Sequence, residues 1–103
     1  LPPVEEYASK GGRFGSHNIH ENRPGPSFHS EEIVVGAFFN AGIRVYDLKN
    51  PYQPECIAYF VPPGPENSRV PTIQMNEVYV DENGIVYCGD RWAGGLYILE
   101  MDI

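Results

Sequence analysis

The sequence is short of positive charge, of cysteine and of uninterrupted apolar length. Seven Lys and Arg stand against fourteen Asp and Glu. A field of that sign repels phosphate backbones and argues against nucleic-acid binding. No apolar run approaches the ~20 residues that a helix needs to span a bilayer. The two cysteines, Cys56 and Cys88, fall in different strand-like runs. They read as small apolar residues rather than as a disulfide pair. Catalytic signatures are missing too. Gly11-Gly12-Arg13-Phe14-Gly15 lacks the Lys-Ser/Thr of a phosphate loop, and no Ser lies in a nucleophile elbow. The first residue is Leu1, with no charged-then-apolar leader after it, so the chain is expected to continue upstream.

What the sequence has in quantity is punctuation. Ten prolines and eleven glycines cut 103 residues into short pieces. Between them lie runs rich in β-branched and aromatic residues, with no sustained 3.6-residue period. The composition predicts an all-β chain.

An internal repeat organises those runs. Ile33-Val34-Val35-Gly36-Ala37 leads through Phe39-Asn40-Ala41-Gly42 into Ile43-Arg44-Val45-Tyr46-Asp47-Leu48. Ile85-Val86-Tyr87-Cys88-Gly89 leads through Arg91-Trp92-Ala93-Gly94-Gly95 into Leu96-Tyr97-Ile98-Leu99-Glu100-Met101. The offset is 52 at Ile33/Ile85 and 53 at Gly42/Gly95, so one insertion reconciles the copies. Upstream, His17-Asn18-Ile19-His20 lines up with Asn76-Glu77-Val78-Tyr79 at an offset of 59. A loop at residues 22–31 in the first copy, replaced by the tight Asp81-Glu82-Asn83-Gly84 turn in the second, absorbs the difference.

A repeat of this length, built of short strands and turns, points to four-stranded propeller blades. The expected strands are His17–Asn22, Glu32–Phe38, Gly42–Leu48 and Glu55–Val61 in one complete blade. Gln74–Asp81, Ile85–Gly89 and Gly95–Met101 make three strands of a final blade. The expected organisation is therefore the end of a preceding blade with a connecting loop at 1–16, and a complete blade at 17–61. A Pro-rich inter-blade loop follows at 62–73 and a partial last blade at 74–103. Two blades alone would leave wide apolar faces open. Another chain or segment is therefore expected to supply the remaining blades, including a fourth strand for the last one.

Asn40-Ala41-Gly42-Ile43-Arg44-Val45-Tyr46-Asp47-Leu48-Lys49-Asn50-Pro51-Tyr52-Gln53-Pro54 resembles the LVIVD-repeat motif: a Gly, an aliphatic run, Asp, then a Pro-x-x-Pro turn. His17-Asn18-Ile19 is similar to the His-Asp-Val element that begins blades in that family. Gly94-Gly95-Leu96-Tyr97-Ile98-Leu99-Glu100 resembles its last blade, with Glu100 where Asp is usual. A more distant likeness is to the selenium-binding protein group, which includes methanethiol oxidases. The resemblance implies architecture: Asp47 is expected to bond turn amides. It does not imply a reaction.

Two groups could carry chemistry. His17, His20, Glu21 and His29 offer imidazole and carboxylate, the donors a divalent transition metal would use. His17 and His20, with Arg91, are also the catalytic candidates. Positions 17 and 20 differ by an odd number, so a regular strand would send their side chains to opposite faces. The alternative for each histidine is a hydrogen-bonded packing role or a solvated loop. The second group is Asp90-Arg91-Trp92, with Asn40 at the equivalent turn and Asn76 matching His17. These could bind a small polar or aromatic ligand through cation–π and bidentate contacts; the alternative is a salt-bridged loop with Trp92 as a plug. Three functions follow as expectations: a metalloprotein or enzyme with its site at the channel mouth, a non-catalytic ligand- or protein-binding propeller, or a structural repeat.

Overall fold

The computed structural model describes residues 3–9, 11–22, 24–64, 72–91 and 94–103, the Val4 side chain excepted. Seven strands form one curled antiparallel sheet: β1 (Phe14–Ile19), β2 (Ile33–Phe39), β3 (Ile43–Asp47), β4 (Glu55–Phe60), β5 (Met75–Val80), β6 (Ile85–Asp90) and β7 (Leu96–Glu100). A five-residue helix, α1 (Val4–Ala8), precedes them. The sequence reads over residues 1–16 as the end of a preceding blade with a connecting loop; so short a helix has no periodicity to betray it. Leu1 and Pro2 lie outside the described residues, as do 65–71 of the expected inter-blade loop.

The strands form two meanders, β1-β2-β3-β4 and β5-β6-β7, each paired between sequence neighbours. A single pairing, Phe39↔Met75, joins β2 to β5. β1 begins three residues earlier than expected and carries a register shift between Phe14 and Asn18, with Gly15 at φ +117. Turn chemistry sets the remaining boundaries. Asp47 Oδ1 accepts the Lys49 amide at 2.8 Å ahead of Pro51, as the motif implies. Between β5 and β6, Asp81 Oδ1 accepts the amides of Asn83 and Ile85, both at 2.9 Å. Only Gly84 of the Asn83-Gly84 pair adopts positive φ, +80. The connection is therefore a Gly-bulge hairpin rather than a two-residue type I′ turn.

The way the two meanders meet decides the shape of the core. Define as front the face of the first meander that carries Val35, Ala37, Ile43 and Val45, which pair across β2 and β3. All four are buried, and Ala58 and Phe60 of β4 extend the same face. This front packs on Val80, Val86, Cys88, Tyr97 and Leu99 of the second meander, with the Phe60 and Tyr97 rings edge to face at 5.6 Å. By the repeat's own offsets, Val86, Cys88, Tyr97 and Leu99 correspond to Val34, Gly36, Arg44 and Tyr46. Those residues form the back of the first meander. Front thus meets back, and equivalent faces do not meet each other.

The leftover faces follow from that arrangement. Tyr87, Leu96 and Ile98, equivalents of buried Val35, Ile43 and Val45, lie on the open front of the second meander. Leu96 and Ile98 are 66% and 61% exposed there. Tandem apolar residues in β7 suggest burial on both sides, but Leu96 and Ile98 stay exposed; on this front the 22–31 loop reaches only Tyr79 of β5. On the first meander's back, Tyr7 from α1 lies over Arg44. That guanidinium is buried between the Tyr7 and Tyr59 rings, 4.9 and 4.8 Å from their centroids. Its Nε donates to the Ala41 carbonyl at 2.9 Å and Nη2 to the Tyr7 hydroxyl.

Candidate functional site

The three histidines are dispersed. His20 is a bracket: its Nδ1 accepts the Val80 amide at 3.1 Å and its Nε2–H donates to the Phe28 carbonyl at 2.9 Å. The Phe28 amide in turn donates to the Val80 carbonyl at 3.0 Å. Loop 22–31 is thereby stitched onto β5, with the Tyr79 hydroxyl donating to the Pro26 carbonyl at 3.0 Å. Both imidazole nitrogens of His20 are committed, so neither has a lone pair for a metal. His29 is exposed in the loop beside the Ser27 hydroxyl, and Glu21 is exposed just before it. His17 points elsewhere, its ring edge on Phe39 at 4.9 Å and its Nδ1–H donating to the Asn76 carbonyl at 3.0 Å. Among the described residues, no three of His, Cys, Asp and Glu gather closely enough to hold a metal ion.

What the fold does gather is the end of the sheet where β1 and β5 begin. Asn18 Nδ2 donates to the same Asn76 carbonyl at 2.8 Å, so the matched strands β1 and β5 lie side by side. The organising residue is Gln74, which is 1% exposed. Its Oε1 accepts the Arg13 amide at 2.8 Å and its Nε2 reaches the Arg13 carbonyl at 3.3 Å, so the side chain pairs with that backbone as a strand would. Its own carbonyl accepts the Arg91 amide at 2.9 Å. One buried glutamine thus fixes two arginines distant in sequence. Asn40, also buried, completes the frame: its amide donates to the Arg13 carbonyl at 3.1 Å, and its Nδ2 to the carbonyls of Tyr7 and Gly11.

Both guanidiniums rest on one ring. Arg13 Cζ lies 5.7 Å and Arg91 Cζ 5.8 Å from the centroid of Phe39. Phe39 is buried and takes φ +50, the only positive-φ residue other than glycine among those described. A bulky side chain there costs backbone strain, and such strain persists where surrounding contacts over-determine it. Asp90 is turned into its own loop, its oxygens accepting the amides of Gln74 and Gly94, each at 2.6 Å. Trp92 lies outside the described residues.

Of the expected residues, His17, Asn40, Asn76, Asp90 and Arg91 therefore share one end of the molecule, while His20 and Glu21 lie just before the loop over β5 and His29 lies in it. Sequence reasoning missed Arg13 and Gln74. Neither carries a motif, and the contact between them spans 61 positions. No family model, no curated protein and no solved structure matches this chain.

Proposed function

We propose that the chain supplies two consecutive blades of a β-propeller of the LVIVD-repeat kind. Its role is the non-catalytic binding of a small polar ligand at the end where β1 and β5 begin. The observation that carries the architecture is the meeting of front with back. A sandwich related by a two-fold axis would bring equivalent faces together. Unlike faces in contact make a heterologous interface, which repeats until a ring closes or a filament grows. The open front of the second meander then receives the back of a further blade from another chain or segment, and β7, bare along one edge, receives that blade set's missing strand.

Binding rather than catalysis is favoured by the chemistry of the end itself. A metal-dependent reaction, suggested by three histidines in sequence, finds His20 spent on two backbone groups and His29 remote in the loop. His17, Asn76, Arg91 and the Asp90 turn remain together, supporting recognition through hydrogen bonds and charge.

Sedimentation equilibrium of the purified chain across a wide concentration range tests the architecture. Association is expected, and Ile98→Lys on the open front should weaken it. A strict monomer with one sharp, cooperative melt at every concentration would overturn the reading, because two open blade faces would not yield it.

A further inference from the structure

We infer that the ligand is a small oxyanion, a carboxylate or a phosphate, gripped by the guanidiniums of Arg13 and Arg91 with His17 beside them. This rests on the reading of that end as a ligand site and names the class of molecule that it takes.

The chain carries a net charge of −7, yet here it sets two of its seven Lys and Arg against one ring. Among the described residues neither guanidinium is paired with a carboxylate. Asp90, the adjacent acid, has its oxygens directed at the Gln74 and Gly94 amides. Like charges held together repel, and the repulsion is relieved when an anion sits between them.

The geometry is also prepaid. Arg13 is fixed at its amide and carbonyl, Arg91 at its amide, and all three bonds end on the buried Gln74. Both guanidiniums lie within cation–π range of Phe39, and both residues are exposed to solvent. A guanidinium offers an N–H fork that matches the paired oxygens of carboxylate and phosphate. His17 has Nδ1–H committed to the Asn76 carbonyl, which leaves Nε2 to accept from a protonated oxygen such as that of hydrogen phosphate. The strain at Phe39 then has a use, since it turns the platform ring beneath both arginines.

The test is calorimetric titration of the chain at low ionic strength with three probes: inorganic phosphate, malonate and the neutral isostere malonamide. Binding of phosphate or malonate, with malonamide inert, is expected; which anion binds more tightly distinguishes the two sources. Arg13→Gln and Arg91→Gln should each weaken it about tenfold, the size of one charge-assisted hydrogen bond, and added salt should weaken it further. Both arginines are exposed, so circular dichroism should stay unchanged. Malonamide binding as well as malonate, undiminished by either Arg substitution but lost in His17→Ala, would overturn the oxyanion assignment and leave the site standing. No heat with any probe would overturn both.

Discussion

The two meanders are copies of one pattern, yet they live in different surroundings. Gly42 and Gly95 occupy the same place before the third strand, with φ +71 and +74. A Cβ on Gly42 would meet the Phe60 carbonyl oxygen at 2.1 Å, whereas one on Gly95 would meet nothing within 4 Å. The carbonyl that crowds Gly42 belongs to β4, and among the described residues the second meander has no fourth strand. One glycine is thus held by a neighbour and by its dihedral, the other by its dihedral alone. The same contrast runs through the fronts: Val45 is 4% exposed and its equivalent Ile98 is 61% exposed. A repeat conserves its chemistry where the neighbour is expected, whether or not the neighbour is there.

The largest predicted difference lies at those glycines. Gly42→Ala combines a left-handed backbone, about 1–2 kcal/mol, with a backbone collision that must displace β4, about 1–3 kcal/mol more. Gly95→Ala carries only the first cost, about 1–2 kcal/mol. Urea unfolding of the two variants measures both. Equal losses would break the comparison, and would mean that a strand covers β7 in solution. A smaller effect is expected on the fronts. Val45→Ala should lose about 1.5–3 kcal/mol of burial, while Ile98→Ala stays within about 0.5 kcal/mol. If Ile98→Ala costs as much as Val45→Ala in the associated protein, the open front is the contact face.

Much of this frame was legible because turns announce themselves. Gly42, Pro51, Asn83-Gly84 and Gly95 mark strand ends by local backbone demands, so six strands fall within two residues of their expected starts. The exception is β1, where Gly15 looks like loop but sits inside the strand as an irregularity. The candidate site was only half legible. His17, Asn40, Asn76, Asp90 and Arg91 were found through their position in the repeat, which is periodic information. Gln74 and Arg13 meet through a side chain that imitates a strand, and no local pattern signals such a contact. His20 was legible only as a pair of alternatives, a ligand or a hydrogen-bonded packing residue. Its residue type suggests a ligand, but its neighbours Phe28 and Val80 supply backbone partners that only the folded loop brings near.

The smallest effect separates the two cysteines, one in each meander. Cys88 is buried between the meanders, its thiol donating to the Tyr97 carbonyl at 3.7 Å, and burial pushes its pKa up to about 11 from an ordinary 9.0. Cys56 is only half-buried in β4. The thiolate is the nucleophile, so iodoacetamide at pH 8 should label Cys56 while Cys88 stays unmodified until urea unfolds the chain. The same burial makes a pH prediction. Native Cys88 holds its proton more tightly than unfolded Cys88, so the unfolded state binds fewer protons between the two pKa values. The stabilisation is therefore complete below pH 9 and declines as pH rises from about 9 to about 11. Tyr46, raised chiefly by burial and next by neighbouring Cys56, adds a loss of the same sign above its ordinary 10.0. Cys88→Ala removes the first contribution and keeps the second, so its urea midpoint should fall less than the wild type's across pH 9–11. Parallel curves for the two proteins, or early labelling of Cys88, would show that the seam between the meanders admits water and opens more readily than the packing of Val86, Cys88 and Leu99 implies.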